Sequence, residues 1–218
     1  MDNLQPPTDV ASEPTADHIL AACEEFDKQN AVVEQALTEL FCQYPRNDNN
    51  FHVLLKVAAL NALYATNILA LQDVAHHIYE RGKDIDSALA LGSSEIVDTI
   101  AVVTIRATGE VRRNYAFASK YCSWHKQGLY PIWDSRVREY LTWLRRTAKG
   151  GFLVKNPGNW GYYREFVEMM NNLREVYNLG ALSFKQIDKF LYTEGQKLIS
   201  AKEHLRKPKL DAAASTQL

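Results

Sequence analysis

From residue 17 onward, large apolar side chains recur at three- and four-residue spacing through nearly every segment, and no period-two alternation persists. The pattern predicts a helix or helix pair over 17–44, an apolar helix over 51–70 bent near 61–67, and helices over 72–81, 95–107, 111–125, 135–145, 163–178 and 184–205. The punctuation agrees with these limits. Tyr44 to Asn50 is a turn cluster, Gly109 turns the chain between two helices, Gly150 and Gly151 close another, and Ser183 is placed to cap the last. Residues 152–162, rich in Gly, Pro and aromatics, read as a loop. The expectation is an all-α domain of about eight helices around a cleft, over residues 17–205. The tails, 1–16 and 206–218, hold few large apolar groups and are expected to be disordered.

Composition bounds the function classes. The 218 residues suffice for one compact core at 46% hydrophobic content. No apolar run is long enough to cross a bilayer, and the acidic, proline-containing N-terminus is unlike a signal peptide, so a soluble, cytoplasmic monomer without membrane contact is expected. Cys23, Cys42 and Cys122 lie too far apart for a disulfide framework or a metal cluster. His76 and His77 lack partners at ligand spacing, so no metal or other cofactor is expected.

Charge is distributed unevenly. Residues 1–50 carry 2 basic and 10 acidic side chains, whereas 101–150 carry 10 basic and 3 acidic, a balance of +7 against an overall −1. A concentrated positive face suits the backbone of double-stranded DNA, and a solvated helix surface reads the same way. Within this stretch lies the densest chemistry. The helix over 111–125 has two apolar faces and leads to Pro131-Ile132-Trp133-Asp134, where Asp134 stands as N-cap of the next helix. Amide donors and the helix dipole favour an ionised carboxylate there. Lys120, in the middle of the apolar helix, either snorkels to the surface or faces a polar cavity, where it meets Asp134 or a phosphate. Tyr121, Trp124 and Trp133 offer faces on which a base stacks, or else pack in the core. His125 caps the last carbonyls of its helix or contacts a substrate.

Gly109, the helix Ala116 to Trp124, and the loop residues Pro131, Asp134 and Val137 together resemble the helix-hairpin-helix DNA glycosylase superfamily. The resemblance implies a hairpin of two helices about Gly109, a catalytic Asp134, and DNA contacts from Gly109, Arg112, Arg113, Arg136 and Arg138. It departs at the second hairpin glycine, which here is Val111. The lysine of the lyase-active branches would fall at Tyr115 or Ala116, so the resemblance is to the monofunctional, 3-methyladenine type, which uses an Asp and water. By approximate position Asn61, Tyr64 and Asn67 would fill the gap left by the extruded base, unless they only satisfy a polar helix end. The implied activity is hydrolysis of the N-glycosidic bond of a flipped modified base to leave an abasic site, in repair or in defence against phage with modified DNA. The alternative is a non-catalytic DNA-binding or interaction module with the same fold.

Overall fold

The computed structural model describes residues 10–147 and 161–214, with side chains as far as 205. Most of the loop expected over 152–162, and the paired glycines before it, lie outside the described residues. Nine helices are present among the described residues: α1 (Ala16–Gln43), α2 (Asn50–Leu63), α3 (Leu71–Glu80), α4 (Gly82–Leu91), α5 (Glu95–Ala101), α6 (Tyr115–His125), α7 (Ser135–Leu144), α8 (Tyr163–Val176) and α9 (Phe184–Ala214). The protein is therefore mostly helical, and one core runs through it from Ala11 to Leu198. Among the described residues no helix is long and apolar enough to cross a membrane.

Local chemistry explains most helix limits. Thr15 and Asn49 cap α1 and α2 through their side chains. Ser183 and Gln186 form a reciprocal capping box at the start of α9. Helix α9 runs on to Ala214, past the limit near 205 that apolar spacing suggests. At the other end, residues 10–15, expected in a free tail, lie against the core. The Ser12 N–H donates to Glu194 at 2.7 Å and its carbonyl accepts from the Tyr140 hydroxyl at 2.7 Å.

The region about Gly109 departs most from expectation. In place of two helices meeting at a turn, α5 stops at Ala101 and the chain forms a β-hairpin, with Val102–Thr104 (β1) antiparallel to Val111–Arg113 (β2) and Val103 opposite Arg112. The run Val102, Val103, Thr104, Ile105 is β-branched throughout and resumes at Val111, and such side chains favour a pleated backbone over a helix. Gly109 occupies the left-handed region at φ 71° and its N–H donates to the Ile105 carbonyl at 2.8 Å. Helix α4, which the apolar spacing leaves unassigned, follows α3 after the single residue Arg81. Its Gly82 is tight against the chain: a β-carbon there would lie 2.1 Å from the Asn47 carbonyl oxygen.

A buried polar knot holds α2, α6 and the 44–49 turn together. Lys56 is fully buried and its ammonium reaches the carbonyls of Tyr44 and Arg46, Asn47 Oδ1 at 2.9 Å and His125 Nε2 at 3.3 Å. Asn47 Oδ1 also accepts from the Tyr121 hydroxyl, and its amide donates to Asp86. Burial draws the Lys56 ammonium down to about 8 despite the opposing charges of Asp86 and Asp48. Burial first, then the Lys56 charge, draws His125 down to about 3. The His125 ring is given to this knot, edge-on to Phe41 and tilted against Tyr121, and it also lines a separate cavity of about 430 Å³ with Phe41, Asp86 and Lys126. His77 is similarly occupied, with Nε2 2.8 Å from the Thr99 carbonyl.

Candidate functional site

The loop 130–134 is pinned at every residue before it reaches Asp134. Tyr130 donates from its hydroxyl to the Ser93 carbonyl, Pro131 accepts from the Tyr163 hydroxyl, and Ile132 donates its N–H to Asp188 Oδ2 at 2.9 Å. Trp133 is clamped through its backbone to the Ser119 hydroxyl, which receives its N–H at 3.1 Å. Ser119 belongs to α6, so the clamp lays the loop across that helix beside Lys120. Asp134 then caps α7 as the sequence predicts: its Oδ1 accepts from the Arg136 and Val137 amides, each at 3.0 Å. The other oxygen, Oδ2, stands 3.2 Å from Lys120 Nζ. Both side chains are about 95% buried, at 4% and 5% exposure. Lys120 does not snorkel; it turns inward and forms a desolvated ion pair with the carboxylate 14 positions along the chain.

This pair lies on the wall of a cavity of about 30 Å³ that five elements close. Phe26 comes from α1, Tyr64 from the end of α2, Lys120 from α6, Ile132, Asp134 and Val137 from the loop and α7, and Lys185, Asp188, Lys189 and Tyr192 from α9. Such a space holds a water but not a base. An outer cavity of about 100 Å³ shares Phe26, Tyr64, Lys120 and Tyr192 and is rimmed by Arg136. The rings are fixed by their neighbours. Phe26 and Tyr192 meet edge to face at 5.7 Å, and the Arg136 guanidinium lies over Tyr192 at 4.8 Å. The Tyr64 hydroxyl donates to Glu34 in a short contact, and burial together with that carboxylate holds the phenol protonated. The cavity's other two lysines also have carboxylate partners: Lys185 meets Glu34 at 2.9 Å, and Lys189 meets Asp27.

Of the predicted substrate contacts, the cavity brings together Asp134, Lys120 and Tyr64. The others go elsewhere. Asn61 folds the 64–70 loop, its Oδ1 accepting from Thr66 and from the Ile68 N–H at 2.8 Å, so the polar helix end satisfies its own backbone. Asn67 is exposed in a left-handed turn at φ 55°. Tyr121 is wholly buried in the polar knot described above. The Trp133 ring packs edge-on against Phe166 of α8. Trp124 stands one layer behind the cavity, edge-on to Tyr64 and beneath the Lys185 ammonium at 4.3 Å. Tyr121 and Trp124 are taken into the interior because α6 is buried on both sides, and Trp133 because its loop is clamped across that helix.

The predicted DNA contacts divide similarly. Arg113 and Arg138 are exposed, the former on β2 and the latter on α7. Arg112 is engaged by Glu110 at 3.1 Å, and Arg136 binds Gln196 of α9 at 2.7 Å. Gly109 lies exposed in the tip of a β-hairpin and no longer between two helices.

Residues that the sequence pattern left without chemistry complete the site. Phe26 lies on α1, and Lys185, Asp188, Lys189 and Tyr192 form one stripe of α9 at i, i+3, i+4 and i+7. A polar stripe at that spacing, on a helix whose neighbours Ile187, Phe190 and Leu191 are buried, is the signal that was available.

Comparison with known proteins places the chain in a family. The family profile described as HI_0787_N, an N-terminal domain, matches residues 16–129, more than half of the chain. The chain belongs to the HI_0787_N family. An uncharacterized protein of Haemophilus influenzae is similar to it, 35% identical over 147 residues that make up 67% of each chain. No solved structure matches the protein. The HI_0787_N match contains Phe26, Tyr64 and Lys120 and stops short of Asp134 and of all of α9.

Proposed function

We propose that the protein is a DNA glycosylase that receives a modified base extruded from double-stranded DNA and cleaves its N-glycosidic bond, leaving an abasic site. The observation that carries this reading is the buried Lys120–Asp134 pair in an aromatic-walled cavity, with Asp134 fixed by two amides at the head of α7. As the C1′–N bond breaks, its electron pair leaves with the base and positive charge grows on the sugar. A preorganised carboxylate stabilises that charge at no reorganisation cost and orients the water that adds to C1′. Phe26, Tyr64 and Tyr192, which the outer cavity of about 100 Å³ shares, supply faces for the base there, each worth about 1–3 kcal/mol, and leave the inner cavity to the water. Exposed Arg113 and Arg138 supply contacts to phosphates, and the glycosylase-like arrangement of helices about the cleft belongs to the same proposal. Its setting is base excision repair or defence against phage with modified DNA.

The same pair also favours a second reading, in which Lys120, its proton passed to Asp134, attacks C1′ in place of water as the base leaves; the C1′–O4′ bond then breaks, O4′ takes the proton that the amine gives up, and the opened sugar is held as an imine. Base release from a panel of damaged and hypermodified duplexes tests both. Wild-type release that Asp134→Asn abolishes supports the glycosylase. Trapping of a protein–DNA adduct by borohydride, lost in Lys120→Met, assigns the amine as nucleophile, and release without trapping assigns water. Salt-sensitive DNA binding without release of any base would replace the proposal with the non-catalytic module.

A further inference from the structure

The cavity contains a second carboxyl that the reaction as described above does not use. Asp188 is 4% exposed, and its two oxygens differ in kind. Oδ2 accepts the Ile132 N–H at 2.9 Å, whereas Oδ1 is buried with no hydrogen-bond partner, in a residue that lines the cavity alongside Asp134. An orphaned buried oxygen is costly, and one that faces a cavity is placed to bond what enters it.

The charged groups around Asp188 are committed elsewhere. Lys120 meets Asp134, Lys185 meets Glu34, and Lys189 meets Asp27. Of the two phenols, Tyr64 donates to Glu34, and the Tyr192 ring packs against Phe26 and the Arg136 guanidinium. Without a cation of its own, a carboxyl removed from water keeps its proton. Burial pushes Asp188 well above the usual carboxylate range; the Ile132 amide and Lys185 oppose this, and the charge of Asp134 adds to it.

We infer that Asp188 is the acid for the leaving base: Oδ1 donates to a water, for which the inner cavity has room, and through it passes the proton to an acceptor atom of a base seated in the outer cavity as the C1′–N bond breaks. The inference rests on the glycosylase reading of Asp134. The electron pair of the breaking bond goes to the base, and the Asp188 proton neutralises it there. Water adds its hydroxyl to C1′, and its remaining proton restores Asp188 through the solvent. The two carboxyls thus divide the work, Asp134 charged toward the sugar and Asp188 neutral toward the base, as paired groups with divergent environments do.

This assignment names a substrate class. An N-alkylated purine is already cationic, leaves without an acid, and presents no need for a donor. An uncharged base leaves as an anion and is held in place until something protonates it. The favoured substrate is therefore an uncharged modified base with a lone pair in reach of the water on Asp188.

Asp188→Asn tests the inference, because it preserves volume and the acceptor for Ile132 but has no proton to transfer. Base release is measured for duplexes carrying oxidised guanine, hypoxanthine or uracil, and for one carrying a cationic N-methylated purine. The expected result is a loss of about 100-fold on the uncharged bases, the scale of a general acid, with less than about threefold on the cationic one. Difference infrared spectroscopy of wild type against Asp188→Asn, without DNA, is expected to show the carbonyl stretch of a protonated carboxyl at neutral pH. Unchanged release, equal loss on both kinds of base, or absence of that stretch overturns the role of Asp188 and leaves the glycosylase standing. No release of any base by wild type overturns both.

Discussion

At the scale of single residues, Asp134 caps α7 and, in the proposed reading, also serves the reaction, and substitution separates the two. Asparagine still caps α7 but removes the charge opposite the buried Lys120, so Asp134→Asn is expected to fold with a smaller loss of stability than alanine causes, while losing base release. Alanine removes the cap, about 1 kcal/mol, and leaves the Lys120 ammonium buried alone, so Asp134→Ala is expected to lose about 3 kcal/mol or more in urea unfolding. The cap was legible in the sequence, because Pro131-Ile132-Trp133-Asp134 precedes an amphipathic run. Its partner Lys120 was legible only as one of several alternatives, beside snorkelling and a phosphate contact. Nothing in a 14-residue separation specifies that Lys120 turns inward; the Ser119 clamp on the Trp133 backbone does so, and a serine hydroxyl bonded to a distant main chain leaves no periodic trace. The aromatics misled for a related reason. Trp124, Trp133 and Tyr121 are adjacent to Asp134 in sequence, whereas Phe26 and Tyr192 reach the cavity from helices at opposite ends of the chain.

At the scale of elements, the packing of α9 on α7 sets the geometry of the site. Gly195 makes this contact possible, since a β-carbon there would stand 2.1 Å from the Arg136 carbonyl oxygen. Arg136 is also the residue whose N–H holds Asp134 Oδ1. Gly195→Ala is therefore expected to cost on the order of 2 kcal/mol and to lower base release more than DNA binding, by tilting α7 away from α9. Melting curves and a release assay on the same preparation separate the two effects. Apolar spacing located most of the helices, and it failed at α4 and at the β-hairpin. The hairpin strands are three residues each, too short for an alternation to show against neighbouring helices, and only the β-branched run pointed to them.

At the scale of the whole molecule, the buried polar knot responds to pH and the exposed arginines to salt. The folded pKa of His125, about 3, lies below its ordinary 6.5, so between these values the unfolded chain binds the extra proton. Stability is thus complete above about pH 6.5 and falls as pH drops toward 3. In His125→Gln the fall over that window is expected to be shallower, as denaturant midpoints measured across it would show. DNA binding is expected to weaken steeply with salt, and Arg113→Gln or Arg138→Gln each to reduce the slope of log K against log salt by about 1. The charge imbalance that motivates this was plain in the sequence, but which arginines remain exposed was settled by Glu110 and Gln196 taking two of them. The cavity is built from both ends of the chain, Phe26 near its beginning and the α9 stripe near its end. A ribosome making this protein would therefore present Asp134 to the cell for some time before the α9 stripe emerges to close over it. Under the proposed reading, the site would stay incomplete until α9 has emerged and closed over Asp134.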